Sequence, residues 1–269
     1  MPRGASAWAA LVAVGLVGST AAAPLQGQSA GQLAEEVGRL DEGAVRFGFE
    51  ARPDVEVCAN GIRVGDDRIR WNRGDSSSDD DGCRSGWMEV ELRLRDGVVR
   101  DVEVLRADDV GRDGAVDFGA VEAPDAASYL LSFAYEGATR DAAREAMLPA
   151  MLADTEGLWP ELLEIARDRT IDEGVRKSAL FWVGREAAEA VTAELGGVAL
   201  DDDEDQEIRD AAIFSLSQRD DSESVPLLME IARTGEQVET RKSAMFWLAQ
   251  SDDPRVVIFF EDVLLGRNR

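Results

Sequence analysis

Three stretches of eleven residues decide the fold: VRKSALFWVGR at 175–185, IRDAAIFSLSQ at 208–218 and TRKSAMFWLAQ at 240–250. They recur at offsets of 33 and then 32 residues. Arginine stands second in each (Arg176, Arg209, Arg241) and alanine three later (Ala179, Ala212, Ala244). Phenylalanine follows two beyond that (Phe181, Phe214, Phe246), and Val183, Leu216 and Leu248 close the pattern. Apolar residues three and four apart mark one face of a helix. A fixed period of this length marks stacked helical units, each of which buries its apolar face only against its neighbours.

The intervening segments are helical too. LWPELLEIARDRT (158–170) and SVPLLMEIARTG (224–235) share a proline followed by Leu-Leu and Ile-Ala-Arg. A proline near a helix start costs little, because its missing N–H has no intrahelical partner there. Each unit is thus a proline-led helix, an acidic turn and a second helix opening with Val/Ile-Arg. This pattern resembles the HEAT repeat, in particular the short bacterial form also found in phycobilin lyases. The resemblance covers about 125–269. Three full repeats are read at 158–185, 187–219 and 222–250, with an upstream helix pair (124–135 and 141–154) ahead of them. A last amphipathic helix, Val256 to Leu265, is expected to close the stack by burying Phe259, Phe260, Val263 and Leu264.

Asp172 and Asp205 stand four residues before Arg176 and Arg209, whereas Gln237 precedes Arg241. The resemblance implies that Asp172, Arg176, Asp205, Arg209 and Arg241 form a structural acid–arginine ladder; an anion-binding row of arginines is the other reading. The phenylalanine stripe, with Trp182 and Trp247, is the leading candidate binding surface. One aromatic per repeat lines a groove that grips a peptide, or else fills the seams between repeats, as aromatics at helical spacing more often do. The chain's two lysines, Lys177 and Lys242, occupy equivalent repeat positions. Asp201 to Asp205 form an acidic turn before a helix, where carboxylates suit the helix dipole.

Ahead of the repeats the periodicity changes. GQLAEEVGRLDE (31–42) reads as a short helix through Leu33, Val37 and Leu40. AVRFGFE (44–50) alternates Val45, Phe47 and Phe49. WMEVELRLRDGVVRDVEVLRA (87–107) alternates Met88, Val90, Leu92 and Leu94 with charged residues, turning at Asp96-Gly97. That is a hairpin dipeptide within an antiparallel sheet covered on one side. Cys58 and Cys83, 25 apart, are expected to form a disulfide; closing such a loop contributes about 3 kcal/mol. The loop between them, Asp75-Ser76-Ser77-Ser78-Asp79-Asp80-Asp81-Gly82, lacks the EF-hand order and reads as solvated, a calcium loop being the sharper alternative.

Met1-Pro2-Arg3, the apolar run AWAALVAVGLVG (7–18) and Ala21-Ala22-Ala23 follow the order of a secretory signal peptide. Residues 1–30 are therefore expected to be a leader and spacer, cut after Ala22 or as late as Ala30, since Pro24 disfavours a cut after Ala23. The run is shorter than a membrane span, which needs about 20 residues, and no other segment is apolar enough. The expected location is periplasmic or secreted, which is where a disulfide persists.

With 29 basic and 54 acidic residues and a net charge of −25, the chain repels phosphate backbones and anionic lipids. The absence of histidine excludes Ser-His-Asp and Cys-His triads and His-ligated metals. It also excludes the His–Glu iron chemistry of some HEAT-like hydroxylases. No dinucleotide or P-loop pattern occurs. The expected fold is mainly α with a smaller β domain: a disulfide-tied antiparallel unit over 31–122, then a HEAT-like solenoid over 123–269. The expected function is a non-catalytic scaffold that binds another protein or peptide at the cell envelope. A basic partner would suit the acidity. No catalytic residue, metal or cofactor is assigned. The alternatives are an enzyme with a carboxylate site between the two parts, recognisable by a raised carboxylate pKa, and a cation-dependent module using 75–82 or 201–205.

Overall fold

The computed structural model describes residues 28–58, 61–65, 67–70, 82–106, 113–186 and 190–267. Residues 1–27 of the expected leader and spacer and nearly all of the acidic loop at 75–82 lie outside the described residues. Ser29 opens the first helix, α1 (Ala30–Gly38), through a capping box with Gln32. Among the described residues, eight strands follow in two four-stranded sheets.

The first sheet contains β1 (Gly43–Glu50), β6 (Trp87–Arg95), β7 (Val98–Val104) and β8 (Val116–Ala120), in the order β7-β6-β1-β8. β1 and β6 run antiparallel with Phe47 opposite Val90 and Val45 opposite Leu92. β6 turns into β7 at Asp96-Gly97, both with positive φ, as a two-residue hairpin between twisted strands requires. The fourth strand departs from the antiparallel pattern: β8 pairs parallel with β1. The backbone of Gln28 extends that edge by bonding to Ala120 and Glu122. The second sheet, β2 (Val55–Cys58), β3 (Gly61–Val64), β4 (Asp67–Arg70) and β5 (Arg84–Ser85), has the order β4-β3-β2-β5. The Cys58–Cys83 disulfide ties the end of β2 to the residue before β5.

The helical part begins with α2 (Ala123–Ser132) and α3 (Arg140–Leu152). It continues with α4 (Trp159–Arg167), α5 (Glu173–Gly184), α6 (Ala190–Ala199) and α7 (Gln206–Ser217). α8 (Asp221–Thr234), α9 (Val238–Leu248) and α10 (Pro254–Leu264) complete it. α4, α6 and α8 each pack on the helix that follows, while α3, α5, α7 and α9 pack side by side as one layer. Gly184 permits close approach in that layer, since a Cβ there would lie 2.8 Å from Cβ of Ser215.

α3 belongs to both parts of the molecule. It packs on β7, and the N–H of Thr139, at its start, donates to Val99. At its far end the N–H of Arg52 donates to Leu152, and that of Asp154 donates to Glu50. A Glu145 carboxylate oxygen accepts from the N–H of Val102 at 3.0 Å. One hydrophobic core consequently runs without a break from Leu33 to Phe259. The sheet closes the N-terminal end of the helix stack.

The other end is not closed as expected. Phe259 is buried and Phe260 and Val263 are partly covered, but Leu264 is 85% exposed. Val257, Ile258 and Leu265 are exposed beside it. α10 is apolar on two faces and the stack covers only one.

Candidate functional site

The second helices of the repeats start at Asp172, Asp205 and Gln237. Phe181, Phe214 and Phe246 each stand nine residues after those starting positions. Equal distance from the helix start on parallel, stacked helices places them in a row. The ends of the row, Phe181 and Phe246, are open to the surface, while Phe214 sits at the α7–α9 seam. Phe246 is 58% exposed, Phe181 is exposed, and Phe214, Trp182 and Trp247 are half-buried. Phe214 meets Trp247 across the α7–α9 seam at 5.1 Å between ring centroids, and Trp247 meets Phe246 at 5.2 Å. Phe181 and Trp182 stack edge to face at 5.2 Å, with the Arg185 guanidinium over the Phe181 ring.

The row has a fourth member. Leu148 stands nine residues after Thr139, the starting position of α3. It lines a groove of about 460 Å³ together with Trp182 of α5, Arg144 of α3 and Val102 to Val104 and Arg106 at the sheet. The stripe therefore runs from the edge of β7 over Leu148, Phe181 and Trp182, and Phe214 to Trp247 and Phe246. A depression of about 780 Å³ at the hairpin end shares Arg93 and Asp101 with this groove and prolongs it along the sheet.

A second row, five residues after the same helix starts, contains Arg144, Lys177, Asp210 and Lys242. It lies one helical turn from the aromatic row. Lys177 pairs with Glu173 at 2.6 Å and Lys242 with Glu239 at 2.7 Å; Arg144 pairs with Asp141. Asp210 accepts from Gln206 at 2.9 Å. On the sheet side Arg93 pairs with Asp101 and with Glu103. The groove thus has an apolar floor and margins of balanced charge.

The arginine ladder pairs differently from the expected four-residue spacing. Asp172 caps its own helix by accepting from the N–H of Gly174, and it also faces Arg140. Arg176, 2% exposed, reaches forward to the buried Glu204 of the next turn, and its Nε donates to the Ala166 carbonyl at 2.8 Å. Asp205 lies farther off, at 3.9 Å from Arg176. Arg209 bonds its preceding turn through the carbonyls of Asp201 and Glu204, and its Nε donates forward to Thr240 at 3.0 Å. Nη1 of Arg241 donates to the carbonyls of Gly235 and Glu236. These guanidiniums cross-link turns and successive repeats. In the acidic turn, Asp201 caps the N–H of Asp203 and meets Arg169, so its carboxylate is engaged as well.

Glu56, Cys58 and Cys83 bring three potential ligand atoms within 4.8 Å, but both sulfurs are consumed in the disulfide. The carboxylate held clearly above its ordinary range is Glu161, through burial and then the neighbouring Glu164. It lies on α4 and does not line the groove between sheet and helices. Among the described residues, no helix is long and apolar enough to cross a membrane.

The HEAT-repeat family model matches residues 159–249 and again 197–268. No curated protein and no solved structure matches the chain. Pro160 leads α4, but Pro226 lies inside α8, which starts at Asp221, five residues before it. The forward reach of Arg176 and Arg209 and the single layer of second helices agree with the match to HEAT repeats over residues 159–268.

Proposed function

We propose that this protein is an exported, non-catalytic scaffold of the cell envelope that holds a segment of another protein in the groove running from β7 to α9. The observation that carries this reading is the row of Phe181 and Phe246, exposed, and Leu148, Phe214, Trp182 and Trp247, half-buried. Two large aromatic side chains, Phe181 and Phe246, are left in water on the one layer where four successive helices present an apolar residue at the same position. Such rows supply much contact area at small entropic cost, because each ring has few rotamers to lose. HEAT arrays are generally scaffolds for protein interaction, which supports the same reading. The export signal read at residues 1–30 and the disulfide support the envelope location. The net charge of −25 favours fast encounter with a basic partner, an advantage that added salt removes.

The test is capture from an envelope extract by the tagged full chain, beside a Phe181→Ala/Phe214→Ala/Phe246→Ala variant of unchanged circular dichroism. A protein retained by the wild type and lost by the variant is the expected result. The captured segment, added back as a peptide, should change the fluorescence of Trp182 and Trp247. Equal retention by both chains would refute the groove. Cell fractionation with and without residues 1–30 tests the location separately.

A further inference from the structure

A strand residue turns its N–H and C=O to one side, and its neighbours turn theirs to the other. β7 is an edge of the first sheet, so half of its backbone groups face away from β6. Glu103 stands opposite Glu91, and the N–H of Leu105 donates to the Glu89 carbonyl at 2.8 Å, so Glu103 and Leu105 serve β6. Val99, Val102 and Val104 serve the open side, a bulge opposite Arg93 and Leu94 shifting the alternation between the first two. Val99 is fully paired: its N–H donates to Gly137 and its carbonyl accepts from Thr139, with Ala138 bridging beside it as a parallel strand would. Val102 is half paired, its N–H donating to the Glu145 carboxylate. That oxygen stands where the carbonyl of a neighbouring strand would. The Val102 carbonyl and both backbone groups of Val104 make no hydrogen bond among the described residues.

These groups are not on open surface. Val102 and Val104 are each 7% exposed, and they line the groove of about 460 Å³ whose floor includes Leu148 and Trp182. Backbone groups so placed are ordinarily paired. The kind of segment that can pair them is narrow. A helix spends its N–H and C=O groups within itself, and a proline-rich segment lacks N–H groups. An extended strand offers both, at the spacing of β7.

Charge narrows the occupant further. Asp101 and Glu103 hold Arg93, and Glu145 is spent on Val102. Arg144 pairs with the exposed Asp141 of its own helix. Arg106 is exposed and makes no ion pair among the described residues. The unspent charge of the groove is therefore positive, in a chain of net charge −25. Long-range attraction favours a basic body in the partner, and the groove favours an acidic residue in the segment that docks.

We infer that the segment held in this groove is extended and adds to β7 as a further strand; this rests on the groove proposed above and gives its occupant a conformation and a pattern. Val104 exchanges both hydrogen bonds with one residue of the segment, and the Val102 carbonyl accepts a third. Residues directly opposite each other share a face of the sheet. The residue opposite Val104 is apolar and rests on Leu148 and Trp182. The residue two positions away, on the same face, is acidic and meets Arg106. Main-chain bonds supply the affinity and these alternate side chains the specificity.

Backbone amide exchange on the full chain, read by nuclear magnetic resonance, tests the edge before any ligand is added. Val104 should exchange faster than Glu103, which serves β6. Random decapeptides displayed on phage and selected on the full chain then supply the probe. Selected peptides should share an apolar and an acidic residue two positions apart. Added back, they should slow exchange at Val104 about tenfold and leave Glu103 unchanged. N-methylation of the peptide should weaken binding about tenfold at alternate amides only, the signature of strand pairing. Arg106→Ala, at an exposed position, should weaken a selected peptide about tenfold and hardly affect the same peptide with its acid replaced by glutamine. Slow exchange at Val104 in the free chain would overturn the inference. So would protection that rises with protein concentration alone, which would place a second copy on the edge. Failure to select any peptide, or selection of peptides that are proline-rich or indifferent to N-methylation, would overturn it as well. Envelope capture that depends on Phe181, Phe214 and Phe246 while these tests fail would leave the groove standing and remove the added strand.

Discussion

Replacing Arg176 by methionine isolates the energetics of the seam between repeats. The guanidinium is 2% exposed and lies between the Ala166 carbonyl and the Glu204 carboxylate, itself almost wholly buried. Its removal strands the Ala166 carbonyl, at a cost of about 1–3 kcal/mol. Glu204 keeps the N–H of Asp205 at 2.8 Å and the guanidinium of Arg169 at 3.8 Å, so its charge is not wholly uncompensated. The total should therefore fall near the lower end of the range of about 3–5 kcal/mol for breaking a buried pair. At a urea slope of about 2 kcal/mol per molar, the midpoint measured by far-ultraviolet circular dichroism drops by roughly 1.5 M. Replacing both partners, Arg176→Met with Glu204→Leu, removes the stranded charge but leaves the Ala166 carbonyl unpaired, so the double variant should lose less than the sum of the two single losses without returning to wild type. A cost below about 1 kcal/mol for Arg176→Met would refute the reasoning. So would a double variant whose loss equals the sum of the two single losses.

Glu161→Gln should raise stability at neutral pH: burial and Glu164 hold the folded pKa up, so the ionised form is penalised above that pKa. The advantage over wild type should vanish as pH falls through the raised pKa, in thermal melts across an acid series. Glu223 behaves oppositely, its carboxylate held down by the Thr192 hydroxyl and then by Arg219. Glu223→Gln should therefore destabilise above the ordinary glutamate range and converge on wild type as pH falls through the lowered pKa. Gly184→Ala places a methyl 3.0 Å from the backbone oxygen of Ser215 and should cost about 1–3 kcal/mol, read as a lower urea midpoint. Cys58→Ser with Cys83→Ser should cost about 3 kcal/mol. Because the core is continuous, the helical signal should melt earlier along with the sheet.

The repeats were legible because their burial repeats: Ala179, Ala212 and Ala244 are fully buried, and a period exposes that without any knowledge of partners. The hairpin at Asp96-Gly97 was legible because its backbone geometry restricts the residues it accepts. The partners of the arginines were not. Glu204 lies 28 residues beyond Arg176 and Thr240 lies 31 beyond Arg209, distances set by stacking, while the nearby Asp172 serves as a cap. Leu148 escaped notice because α3 has Ala143 where the later helices have arginine; distance from Thr139 was the usable signal. The parallel placement of β8 left no mark in five residues of half-covered strand. In α10 apolar residues surround the helix, so periodicity could not say which face the stack covers.

Fastening α3 at both ends to the sheet gives the molecule a direction of growth. Energies in a repeat array are sums over neighbours, so a unit inserted after Gln250 alters only the seam it joins. The same insertion between β8 and α3 would separate Thr139 from Val99 and Asp154 from Glu50, contacts on which the sheet edge depends. Gene duplication can therefore lengthen the groove at its far end, one aromatic position at a time, while its origin at β7 stays where it is. The β unit serves as the fixed origin of a ruler whose length is open to selection.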